Sequence, residues 1–280
     1  MGGRAVLTAG PAAFLPRIPA GAPYAADMLA RRPPRVRASA VALSLLVLAG
    51  CSASERTAGD VVTEEEAGIL ADLLHRNHEE GGADFVVTVP FGDDALLTLT
   101  GEVDFQGAEG RAEAVTTVDG EERDVRTMFF DRDEVWFGDV PGLAEALAAA
   151  GQQEAAYLRR PLVAGPGDAE LLDVLVQVLV NLSAPTADDP AAFVAGPYRW
   201  QASQAVDGRP TQLYRLREGR TVAVASGDGT LVQYRATLPQ GDLDLTVTLG
   251  EHGPREVTLP SDEETVAASD HPDVAAAFGI

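Results

Sequence analysis

Two blocks of strict two-residue alternation, separated by a stretch that does not alternate, restrict this chain more than any other feature. In the first block Phe85, Val87, Val89 and Phe91 are apolar at every second place. Leu97, Leu99, Val103 and Phe105 repeat the pattern, with Thr98, Thr100, Glu102 and Asp104 among the intervening residues. A period of two sends one face into a core and the other into water, which is the habit of antiparallel sheet. Further strands are expected near Arg111 to Val118, Arg123 to Phe130 and Glu134 to Phe137, with DG and GD turns between several of them. The second block alternates through Trp200, Ala202, Gln204 and Val206, then Tyr214 and Leu216, Val222 and Val224, Val232 to Leu238, and Leu243 to Leu249. The turns VDGRP, REGR, SGDG and PQGD divide it.

The remaining elements read as helices. Thr63 and Glu66 form a capping box ahead of an apolar stripe made by Ile69, Leu70, Leu73 and Leu74, which predicts a helix over 64–79 ended by Gly81 and Gly82. Leu143 to Ala150 is a short helix, and Ala169 to Leu182 a longer one. In the latter Asp173, Gln177 and Asn181 share a narrow stripe and leucine and valine fill nearly all the rest. A helix so apolar has to be covered round most of its circumference. It is too short to cross a bilayer, so it either plugs a core or lies along an apolar cavity. The fold class is therefore α+β, a curled antiparallel sheet of about ten or eleven strands around a few helices. The candidates for a cavity lining are Phe85, Val87, Leu97, Leu99, Trp136, Leu175, Leu179, Trp200, Tyr214, Tyr234, Leu245 and Val247, although Trp136, Trp200, Tyr214 and Tyr234 taken singly read as readily as ordinary core. The stretch from Ser261 to Ile280 is polar and rich in alanine, with little to fix it.

Upstream, residues 43–54 read LSLLVLAGCSAS and contain the only cysteine, Cys51. Arg31, Arg32, Arg35 and Arg37 precede an uncharged stretch from Ala38 to Gly50, the charged and apolar regions of a secretory signal. The stretch falls short of the roughly 20 residues a spanning helix needs. Met28 would begin a signal of ordinary length. Leu48, Ala49, Gly50 and Cys51 look like a bacterial lipobox, which implies cleavage between Gly50 and Cys51, with S-diacylglycerol and N-palmitoyl groups on Cys51. Residues 1–50 are thus read as signal peptide, 51–62 as lipidated cysteine and tether, 63–260 as the folded domain and 261–280 as a polar tail. With its sulfur used, no cysteine is left for a disulfide, a metal or thiol catalysis.

Charge excludes several functions. The formal net charge is −22, and beyond residue 50 there are 15 basic against 42 acidic residues, a net −27. Such a body repels nucleic acid and anionic headgroups, so membrane contact needs a greasy anchor. All 21 basic residues are arginine, which removes the P-loop, Schiff-base, SxxK and kinase lysines. His75, His78 and Glu79 in HRNHEE suggest a metal, but a structural zinc wants four ligands, and a solvated helix end explains them better. Ser226 in VASGDG lacks a GxSxG elbow. The doublets Asp93/Asp94, Glu121/Glu122 and Asp188/Asp189 form no DxDxDG loop, and Asn181 to Ser183 is a sequon inside an apolar helix. No catalytic residue, metal or cofactor is expected.

The order of lipobox, tether, amphipathic helix, meander, helical insert and second meander resembles the LolA and LppX/LprG-like carrier lipoproteins of bacteria. VDGRPTQLYRL is similar to their strand-turn-strand after the insert, and LVQYRATLPQGDLDLTVTLGEHGPREVTLP to their closing strands. The resemblance spans most of residues 63–260. It implies a LolA-like half-barrel around an apolar cavity for acyl chains or lipidated cargo. Only Cys51 carries over residue by residue, and the strong acidity is a departure that counts against cargo with an anionic headgroup. The expected function is a non-enzymatic binder or carrier of a lipid or acylated molecule, lipid-anchored on the extracytoplasmic face of the cell membrane. The alternative is an envelope interaction or regulatory module with a closed core that binds a membrane protein partner.

Overall fold

The first helix, α1 (Glu64–Glu80), begins where the capping box demands. The Thr63 hydroxyl accepts from the Glu66 amide at 3.2 Å, and the Glu66 carboxylate accepts from the Thr63 amide at 2.8 Å. Gly81, at φ 91°, ends it in the left-handed conformation that a side chain would resist. Five strands follow, β1 (Gly82–Phe91), β2 (Ala95–Asp104), β3 (Glu109–Val118), β4 (Glu121–Phe130) and β5 (Glu134–Phe137). Then come α2 (Leu143–Ala150), β6 (Tyr157–Pro161), α3 (Leu171–Val180) and α4 (Pro190–Ala195). The second meander is β7 (Arg199–Val206), β8 (Arg209–Arg215), β9 (Thr221–Ala225), β10 (Leu231–Leu238) and β11 (Leu243–Gly250), closed by β12 (Thr265–Ala267) and α5 (Pro272–Ala277). The computed structural model describes residues 56–91, 94–163, 170–238, 243–277 and 280, which belong to one compact unit. The signal segment, Gly50, Cys51 and Asp93 lie outside the described residues.

All twelve strands join one sheet in the order β12-β6-β5-β4-β3-β2-β1-β11-β10-β9-β8-β7. Every pairing is antiparallel except β12 on β6. The two meanders meet where β1 pairs with β11, so the first strand in sequence lies inside the sheet while β12 and β7 form its edges. The sheet curls. Helix α3 reaches β6 through the pair Arg160 and Asp173, 2.7 Å apart, and shares a groove with Val222 of β9. Laid flat, β6 and β9 would stand about 38 Å apart at roughly 4.8 Å per strand, whereas a ten-residue helix is about 15 Å long and 10–12 Å wide. Only a sheet wrapped around the helix lets both ends of that span face it.

Consistent with this, none of the ten residues of α3 is exposed, and Leu175 and Leu179 are wholly buried. The core is continuous from α1, α2 and α3 to both meanders. Close backbone approach fixes one corner of it: a Cβ on Gly110 would collide with the Phe130 ring, so only glycine leaves that ring its place against β3.

The segment from Ser261, expected to be loosely held, is a correction. Ser261 and Glu264 form a second capping box, Thr265 to Ala267 pair with Tyr157 to Arg159, and Ala275 joins the core. Three paired residues and an alanine-rich turn carry no alternation to announce them. β6 and α4 are also additions to what the sequence predicts.

Candidate functional site

The pairing register aligns one row of side chains across both meanders. Across β2, β1, β11, β10, β9, β8 and β7 the directly opposed residues are Leu99, Val87, Val247, Tyr234, Val222, Tyr214 and Trp200. Six of the twelve predicted lining residues therefore stand in one row on one face of the sheet. Their surroundings differ. Phe85, Val87, Leu99, Leu175, Leu179, Trp200, Tyr214, Leu245 and Val247 are buried in the packed core, and Leu97 packs against it partly buried. Trp136 is buried too, but Val135 and Phe137 on either side of it belong to the main core and it does not, so alternation turns it to the other face. Its inclusion among inward residues is corrected accordingly. Tyr234 is the one predicted residue that opens onto the apolar groove.

That groove, of about 460 Å³, lies between the helices and strands β9 and β10. Leu70 and Leu73 of α1, Leu182, Val222 and Leu231 form a buried floor, and Leu74, Val174, Val178, Phe193 and Tyr198 form partly buried walls. Phe193 and Tyr198 meet with ring centroids 4.6 Å apart. Asn181, Asp188 and Arg217 are exposed at the rim, with Arg220 half-buried beside them. Sequence reasoning found the stripe of α1 but not its use here. REGR reads as a turn, which leaves its two arginines without a stated role, and α4, which brings Phe193, has only an Asp-Pro start signal. Asp189 caps that helix, accepting from the Ala191 amide at 2.9 Å.

One side of the groove borders the point where the chain enters the domain. The Arg56 guanidinium pairs with Glu66 of α1, one of its contacts being 2.6 Å, and lies 4.9 Å from the centroid of the Trp200 ring. Gly59 donates to the Trp200 carbonyl and Trp200 to the Asp60 carbonyl, both at 2.9 Å, so residues 59–61 run along the β7 edge. The Tyr214 hydroxyl donates to Glu66 at 3.0 Å. Burial alone would raise the Glu66 carboxyl, but Arg56, the Thr63 amide and Tyr214 together hold it below its ordinary value. Burial, and then the charge of Glu66, push the Tyr214 phenol well above its own.

A second cavity, of about 870 Å³, opens elsewhere on the domain and is lined by charge. Its walls already satisfy one another: Arg111 with Glu102 at 2.7 Å and Arg209 with Asp228 at 3.3 Å, both in the lining, and Arg255 with Asp84 at 2.9 Å. His252 there is held below its ordinary value by burial and by Arg209. The other polar candidates are dispersed. His75 faces the Ala184 carbonyl at 3.4 Å and Glu79 at 3.6 Å, while His78 faces the Ser183 hydroxyl at 3.4 Å. Among the described residues no three metal-ligating side chains converge, and no helix is long and apolar enough to cross a membrane. Ser226 sits at the β9 to β10 turn, its amide donating to the Pro210 carbonyl.

No family model and no curated protein matches the chain. Among solved structures, an uncharacterized conserved protein from Thermus thermophilus is 13% identical over 72% of this chain and 99% of its own, with a TM-score of 0.36. A LolA superfamily protein from Nitrosomonas europaea is 12% identical over 71% of this chain and 96% of its own, with a TM-score of 0.27.

Proposed function

We propose that the groove between α1, α3, α4 and β9–β10 holds one acyl chain, and that the protein is a non-enzymatic lipid binder or carrier moored to the membrane through Cys51. The supporting observation is the groove's division into a buried leucine and valine floor and an exposed polar rim. A methylene fills roughly the space of a water's share of the liquid, about 30 Å³, so 460 Å³ accommodates about fifteen of them, one long chain. Each methylene moved out of water contributes about 0.8 kcal/mol. The lipobox resemblance supplies the anchor, and the LppX/LprG-like order of elements agrees with an anchored carrier.

The test is extraction of purified full-length protein with organic solvent, followed by mass analysis. An acyl-bearing molecule near one per chain is expected, and Val178→Trp, which puts an indole into the groove, should lose it while keeping its circular dichroism. No such molecule in the wild type, or equal recovery from both proteins, would overturn the reading. The alternative, a module that binds an envelope protein, draws support from the filled interior: nine of the predicted lining residues are packed core.

A further inference from the structure

The rim of the groove is at odds with the charge of the whole chain. The protein carries −22 overall, yet the residues lining the groove include two arginines, Arg217 and Arg220, and a single carboxylate, Asp188. The charged cavity elsewhere on the domain has the opposite balance, with six carboxylate residues against two arginines in its lining.

The turn from β8 to β9 is built to hold those two cations together. The Leu216 amide donates to the Arg220 carbonyl at 2.7 Å, and both the Arg220 amide and its Nε donate to the Arg217 carbonyl, at 3.3 and 3.2 Å. The turn requires Glu218 at φ 59° and Gly219 at φ 73°, the left-handed region that a residue such as glutamate seldom occupies. A non-glycine residue is kept in that conformation only where its surroundings fix it. The Arg217 guanidinium lies 5.7 Å from the centroid of the Tyr198 ring, a groove wall, and among the described residues it has no carboxylate partner. Among the described residues the one carboxylate that pairs with Arg220 is that of the exposed Glu218, at 3.0 Å. An exposed pair of that kind is weak and exchanges readily for a better anion.

We infer that the groove selects an amphiphile with an anionic oxygen headgroup, a carboxylate or a phosphate, gripped at the rim by Arg217 and Arg220; this rests on the acyl-chain reading above. The chain's carboxylates elsewhere do not forbid it. At physiological ionic strength their field decays over about 8 Å, whereas the two guanidiniums would touch the headgroup directly and donate in the planar geometry that suits carboxylate and phosphate. The general acidity and the local selectivity thus act at different distances. An anion is slowed in its approach by the body and retained by the rim.

The experiment is calorimetric titration of the full-length protein with three probes of one chain length: palmitate, 1-palmitoyl-glycerol 3-phosphate and uncharged 1-palmitoyl-glycerol, each below its micelle concentration. The two anions are expected to bind at least about tenfold tighter than the neutral probe, and the tighter of the two names the headgroup. Arg217→Gln with Arg220→Gln should bring the anions down to the level of the neutral probe measured on the same variant, while Arg217→Lys with Arg220→Lys should restore part of the difference. Equal binding of all three probes by the wild type, or anion binding untouched in the double Gln variant, would overturn the inference and leave the acyl groove standing. Failure of all three to bind would remove the groove reading with it.

Discussion

At the scale of single residues, Glu66 does three things at once. It completes the cap of α1, neutralises Arg56 and accepts from Tyr214. Because its carboxyl is held below its ordinary value, it adds stability above the ordinary carboxylate range, and that stability is lost as the pH falls through the lowered folded value. Glu66→Gln should therefore lower the melting temperature at pH 7 by about 2–6 °C. The gap between variant and wild type should narrow in melts recorded at pH 3. Tyr214 works in the other direction. Its phenol is raised, so its contribution is complete below the ordinary tyrosine value and fades only at strongly alkaline pH. The capping box was legible in the sequence because Thr63 and Glu66 are three places apart. Arg56, ten residues away, and Tyr214, 148 away, were not, since nothing local ties them to it.

At the scale of elements, α3 is seated by Arg160, which bridges Asp173 and, at 3.1 Å, the exposed Glu170 that precedes the helix. Asp173 is fully buried and its carboxylate meets Arg160 of β6 at 2.7 Å and the Val163 amide at 2.9 Å. Removing the Asp173 carboxylate leaves Arg160 only the exposed Glu170 and leaves the Val163 amide without its acceptor, at a cost of about 2–3 kcal/mol. Asp173→Ala should show that loss in chemical denaturation, and Asp173→Leu combined with Arg160→Met should recover much of it. The sequence placed Asp173 on a polar stripe with Gln177 and Asn181 but could not supply its partner, because β6 is five residues long and does not alternate. The ten-residue strands β1 to β4 were readable for the opposite reason: each is long enough for its period to show. The same alternation names an inward face without saying whether that face meets side chains or a void. For this reason nine of the predicted lining residues are core, Leu97 packs beside it, and Tyr234 alone reaches the groove.

At the scale of the whole molecule, the topology puts the chain's entry and the groove's rim side by side. Arg56 stacks on Trp200 and pairs with Glu66, while Tyr198 and Arg217, just past the Arg199 and Arg215 pairing at one end of β7 and β8, border the groove. Cys51→Ala should release the protein from washed envelopes in fractionation; retention equal to wild type would refute the anchor. Five residue steps separate Cys51 from Arg56, a reach of about 18 Å when fully drawn out. Were Cys51 acylated as proposed, the Arg56 clamp would keep the β7 edge within that distance of the anchoring sulfur. Under that proposal, exchange of cargo would be confined to neighbours met while drifting in the plane of the bilayer.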